Sequence, residues 1–121
     1  MVVHIVLFRP KANLSGIEQK ALLASIEHAA ANIPSVRRFR IGKTVANPPS
    51  YQLQGFPDLP YLAVVEFDDR AGLEDYLEHQ LHGDLGRRFN DSLEAALIYD
   101  YELADAAEAH HQLDMIDRSG N

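Results

Sequence analysis

The segment Val2 to Phe8 alternates as a β-strand does, yet both of its faces are apolar. It is rich in β-branched residues, whose side chains suit a pleated surface. Val2, Val6 and Phe8 fall on one side, Val3, Ile5 and Leu7 on the other. Tyr61 to Phe67 repeats the pattern, with Tyr61, Ala63, Val65 and Phe67 against Leu62 and Val64. A sheet made of such strands must be covered on both faces. The rest of the chain has to supply those two covers.

It supplies one. Ser15-Gly16-Ile17-Glu18 has the capping-box spacing, and a helix is expected from there to about Ile33, where Pro34 stops it. Its apolar positions Leu22, Leu23, Ile26, Ala29, Ala30 and Ile33 recur with helical period. Val36 to Val45 reads as a second strand. Asn47 to Pro60 holds four prolines and one glycine and reads as an irregular loop. With Tyr51 and Phe56, it is long enough to gate a pocket or to wrap a neighbouring subunit. Asp68 or Asp69 can cap a second helix. That helix is expected to loosen or kink at Gly83 and Gly86 and to resume through Phe89, Leu93 and Ala96. Leu97 to Leu103 is a fourth strand. These elements make one domain over residues 1–103, followed by a C-terminal tail over 104–121 with at most a turn or two of helix. The order β-α-β-β-α-β is the ferredoxin-like α+β plan, with an antiparallel four-stranded sheet. Two helices cover only one of its faces. At about 25 cal/mol per Å² of apolar area, a whole wet face would cost many kcal/mol. A second copy packed sheet against sheet is the expected cover, which makes the chain a homodimer through its open sheet faces.

Composition narrows the partners. The chain carries 18 acidic and 11 basic residues, a net charge of -7, which disfavours nucleic acid and anionic membrane. Arg37, Arg38, Arg40, Lys43, Arg87 and Arg88 are expected to form surface ion pairs with the many carboxylates. Arg37 and Arg38, adjacent on a strand, must point to opposite faces. Cysteine is absent, which removes disulfides, thiolate metal sites and a cysteine nucleophile and fits a cytoplasmic location. The opening apolar run ends at Arg9-Pro10 and reads as a strand, not a signal peptide. No run approaches the roughly 18 apolar residues of a membrane span. There is no glycine-rich phosphate loop, no Gly-x-Ser-x-Gly elbow and no glycosidase-like carboxylate pair.

The chemistry-bearing stretch is Tyr76-Leu77-Glu78-His79-Gln80-Leu81-His82, read together with His4. Two histidines three residues apart project from neighbouring parts of one helical face. Histidine changes charge near neutral pH, so such a pair can move protons or hold a metal. On an ideal helix Tyr76 and His82 point about 120° apart and meet only if the stripe is broad or the helix bends near Gln80. His79 can contact a ligand, cap a kink or meet a partner subunit. His4 shares a strand face with Val6 and Phe8 and can support His82 if that face looks at the second helix. His4, His79 and His82 with Asp84 or Glu78 offer metal-ligand types, but the spacing is unspecific and no metal is expected. His110-His111 are adjacent and diverge. Nothing marks a cofactor site.

Taken in order, His4-Ile5-Val6-Leu7-Phe8-Arg9, Ile33-Pro34-Ser35-Val36, Gly42, Val64-Val65-Glu66-Phe67, the histidine motif and Tyr99-Asp100-Tyr101 resemble the stress-responsive A/B barrel family, the Dabb domains. The resemblance spans about residues 2–102 and implies a ferredoxin-like monomer and a dimeric α+β barrel. The family includes a plant polyketide cyclase that works by cofactor-free aldol condensation. By that resemblance His82 is a general base, Tyr76 a hydroxyl that polarises the substrate, and His4 a pocket residue. The chain departs from the cyclase at Ala63, where that enzyme has histidine, and at Ile26, where it has tyrosine. The family's usual proline after the first motif histidine is Gln80 here.

Two readings of function follow. In one, the protein binds a small carbonyl-rich or phenolic molecule and acts on it as a cofactor-independent, cyclase- or lyase-like enzyme, with His82 and Tyr76 catalytic and His4 and His79 at the ligand. In the other, it is a non-catalytic stress-response homodimer. A cavity with His82 facing into it favours the first. A core filled by Phe8, Leu23, Ile26, Phe67 and Phe89, with His82 turned outward, favours the second.

Overall fold

A computed structural model of the chain describes residues 1–45, 58–109 and 112–113. Strands β1 (Val2–Pro10), β2 (Arg38–Lys43), β3 (Tyr61–Phe67) and β4 (Leu93–Glu102) form one sheet in the order β2-β3-β1-β4. Every neighbouring pair is antiparallel. Helices α1 (Gly16–Asn32), α2 (Arg70–Glu78) and α3 (Gln80–Ser92) complete the ferredoxin-like α+β fold. A short 3-10 turn, Ala106–Glu108, follows β4. The loop residues 46–57, with Tyr51 and Phe56, and the pair His110-His111 lie outside the described residues. Among the described residues no helix is long and apolar enough to cross a membrane.

The helix starts are set by their caps. Ser15 accepts the Glu18 N–H at 3.1 Å and donates to the Glu18 carboxylate at 3.0 Å, the reciprocal bonding of a capping box. Asp69 caps α2 by accepting the Gly72 N–H at 2.9 Å, while Asp68 pairs with Arg37 at 2.8 Å. Leu22, Ile26 and Ala29 of α1, with Ile33, pack on Val65 and Phe67 of β3 and on Leu73, Tyr76 and Leu85 of the other helices. Leu23 does not join them and is 53% exposed. Successive helical residues turn by about 100°, so Leu23 sits beyond the edge of the stripe that Leu22 and Ile26 define.

Two expectations about the second helix are corrected. The bend is not at Gly83 or Gly86, through which α3 runs unbroken. The break is at His79, whose backbone is extended at φ -69° and ψ 140°. Nor does the helix resume through Leu93 and Ala96. Those residues are already strand, because β1 continues far enough to pair Phe8 with Ala96, Arg9 with Ala95 and Pro10 with Leu93. Sheet pairing overrides the helix preference of Leu-Glu-Ala-Ala.

The face of the sheet turned away from the helices is apolar. It presents Val3, Ile5 and Leu7 of β1, Leu62 and Val64 of β3, and Leu97, Tyr99 and Tyr101 of β4. Leu97 is 40%, Tyr99 45% and Tyr101 51% exposed. At one end of this face Glu66 is buried between Arg40, at 3.3 Å, and Arg38, at 3.9 Å. Of the remaining cations, Arg37 pairs with Asp68 and Arg87 with Asp84, while Lys43 lies over the Tyr61 ring.

Candidate functional site

A cavity of about 370 Å³ lies between the helix-covered face of the sheet and α2 and α3. His4 from β1, Tyr76 from α2 and His82 from α3 meet there. The ring centroids of Tyr76 and His82 are 4.6 Å apart, those of His4 and Tyr76 5.6 Å, and those of His4 and His82 6.3 Å. The rest of the wall is mostly apolar, with Val6, Phe39, Ala63, Val65, Leu85 and Phe89. Ile26 is elsewhere, on a second cavity of about 300 Å³ bounded also by Phe8, Leu22 and Tyr61.

Each of the three rings is held differently. His4 is buried, and its Nδ1 stands 2.6 Å from the Asp100 carboxylate. A carboxylate only accepts, so Nδ1 is the donor and Nε2 is left for other contacts. Tyr76 is buried against Phe67, with ring centroids 5.2 Å apart. Burial pushes its phenol well above the usual tyrosine range, which keeps the hydroxyl neutral and able to donate. His82 is half-buried, and its Nδ1 is 3.1 Å from the Leu77 carbonyl oxygen. That oxygen can only accept, so Nδ1 carries the proton and Nε2 the lone pair. Burial, and then positive charge on His4, hold the His82 ring below the ordinary histidine value of 6.5, against the opposing effect of the Leu77 bond. At neutral pH the ring is therefore a neutral base.

His79 does not join this group. It borders a separate depression with Ser35, Asp75 and Glu78, and its Nδ1 accepts the Leu81 N–H at 3.0 Å. Among the described residues no three His, Asp or Glu side chains gather as metal ligands do. Asp100 is the site residue that sequence reasoning missed. The signal was available. In a ferredoxin-like sheet the first and last strands are neighbours, and Asp100 stands directly opposite His4 in the register. A histidine and an aspartate directly opposite each other on one side of paired strands are placed to bond.

The fold and site define a class: a ferredoxin-like α+β domain with a small, mostly apolar cavity and an imidazole-phenol group in its wall. The stress responsive A/B barrel domain family matches over residues 2–103, and the chain belongs to that family. Among curated proteins none matches the chain significantly. Solved structures share the fold. An Arabidopsis thaliana protein, At3g17210, superposes with a TM-score of 0.73 at 22% identity, over 88% of this chain and 98% of its own. A hydroxynitrile lyase from Passiflora edulis gives 0.73 at 16% identity, over 87% and 94%. A dimeric ferredoxin-like protein of unknown function from Thermobifida fusca gives 0.66 at 17% identity, over 84% and 90%.

Proposed function

We propose that the protein binds a small carbonyl-bearing or phenolic molecule in the His4–Tyr76–His82 cavity and transfers a proton on it, without a cofactor. His82 Nε2 takes the proton from the carbon next to a carbonyl. The Tyr76 hydroxyl donates to the oxygen on which negative charge then gathers, and His4, steadied by Asp100, lines the same end. The observation that carries this reading is the bond from His82 Nδ1 to the Leu77 carbonyl, which leaves Nε2 as the basic nitrogen of a neutral ring. A base with a pKa below neutrality is deprotonated at working pH, and proton transfer by a positioned side chain is worth roughly 10²–10⁴ in rate. The apolar wall suits a ligand whose body is hydrocarbon or aromatic and whose oxygens cluster at one end. The Passiflora edulis lyase gives the fold a precedent for lyase chemistry. A second copy of the chain, packed on the apolar sheet face, completes the functional unit, as the dimeric Thermobifida fusca protein suggests.

Two measurements test the reading. Phenolic and β-keto compounds are screened by thermal shift against wild type and His82→Ala. A ligand at the site stabilises the folded state by RT ln(1 + [L]/Kd), about 2.7 kcal/mol at a hundredfold excess over Kd. The expected result is a dose-dependent shift in wild type that the variant loses. Binders are then incubated in D2O, where wild type is expected to exchange the hydrogens next to the carbonyl and His82→Ala is not. If no compound shifts either protein and the variant melts like wild type, the non-catalytic dimer becomes the better reading.

A further inference from the structure

Tyr76 and His82 face one cavity because the helix is interrupted between them. On an unbroken helix, side chains six residues apart point about 120° from each other. One residue, His79, is both the C-cap of α2 and the N-cap of α3. Its N–H donates to the Tyr76 carbonyl at 3.2 Å, and its carbonyl accepts from the N–H groups of His82 at 3.0 Å and Gly83 at 3.2 Å. Any interruption strands helix-end groups that the regular ladder would have paired. Here two imidazoles take them up from opposite sides. The His79 ring accepts the Leu81 N–H on the α3 side. The His82 ring donates to the Leu77 carbonyl on the α2 side.

The surrounding sequence does not force this break. Serine, threonine, aspartate and asparagine are the preferred N-caps, and histidine is not among them. A proline at the first position of α3 would hold the residue before it extended. That position is Gln80, and glutamine is a good helix former. The ring of His79 is the side chain that caps the start of α3.

We propose that His79 is a positioning residue. By accepting the Leu81 N–H, its ring holds the break that aims Tyr76 and His82 into one cavity and keeps the His82 Nδ1 proton on the Leu77 carbonyl. It touches no ligand. The purpose of this arrangement rests on the reading of His82 as the base, but its test uses the ligand-free protein. A failed ligand screen therefore leaves it standing, and its own failure leaves the ligand reading standing.

The test is the tautomer of His82, read from ¹⁵N NMR of the imidazoles, with the His82 signals assigned by their loss in His82→Gln. In wild type the Nδ1–H form is expected to dominate. In His79→Ala that signature is expected to give way to a mixture of tautomers, with Tm lowered by about 3–6 °C. In His79→Asn, whose side-chain oxygen is a preferred cap, both are expected to return to wild type. Should His79→Ala fail to fold, His79→Gln takes its place, being polar but too long to cap from that position. The proposal is overturned if His82 keeps its wild-type signature without the cap, however far Tm falls. It is equally overturned if His79→Asn does not restore the signature.

Discussion

His4 and His82 share a cavity but not a role, and the atoms each one meets at Nδ1 explain why. A carboxylate faces His4 and a neutral carbonyl faces His82. Positive charge on the first ring discourages a second one 6.3 Å away. The effect on stability has a definite sign. The folded pKa of His82 is depressed, so the unfolded chain takes up a proton that the folded chain refuses. Stability from this group is whole above the unfolded value of about 6.5 and is lost as pH falls through the folded value. Between about pH 7 and pH 5, wild type is expected to lose more stability than His82→Gln, whose side chain does not titrate. Equal losses in urea melts of the two proteins would remove His82 from the account. The sequence made the three cavity rings legible as residues. The Asp100 bond becomes legible only when the first and last strands are set side by side, because it depends on a pairing between opposite ends of the chain.

At the level of elements, position mattered more than residue type. Gly83 and Gly86 suggested a bend, since glycine weakens a helix by roughly 1 kcal/mol relative to alanine. A weakened helix still continues where nothing pays for stopping it. The stop came at His79, where ring nitrogens take up the stranded groups, and no propensity scale contains that arrangement. The strands expected over Val36 to Val45 and Leu97 to Leu103 run Arg38–Lys43 and Leu93–Glu102, because sheet partners, not local preference, decide where pairing stops. Tyr61–Phe67, bounded by Pro60 and two aspartates, begins and ends where its sequence predicts. Glycines also separate by position. A Cβ at Gly72 would stand 3.2 Å from the Cβ of Phe67, a fully buried residue with no room to retreat. Gly72→Ala is expected to cost about 1–2 kcal/mol. At Gly83 the nearest new contact is the end of Arg87 at 3.7 Å, and Gly83→Ala is expected to gain about 0.5–1 kcal/mol. Chemical denaturation of the two variants checks both signs together.

For the whole molecule, strands apolar on both faces leave one face uncovered by the helices. Leu97, Tyr99 and Tyr101 on the edge strand β4 are its exposed apolar part. If a second copy covers it, Leu97→Asp places a charge in that contact. Sedimentation is then expected to show wild type as a dimer and the variant shifted towards monomer. A wild type that sediments as a monomer at all concentrations would remove the dimer. The uncovered face also changes what a stability measurement on this protein means. Where folding and pairing are linked, the melting point belongs to the solution as much as to the chain. Two samples that differ about tenfold in protein concentration would melt at different temperatures, with the same sequence, buffer and ligand in each.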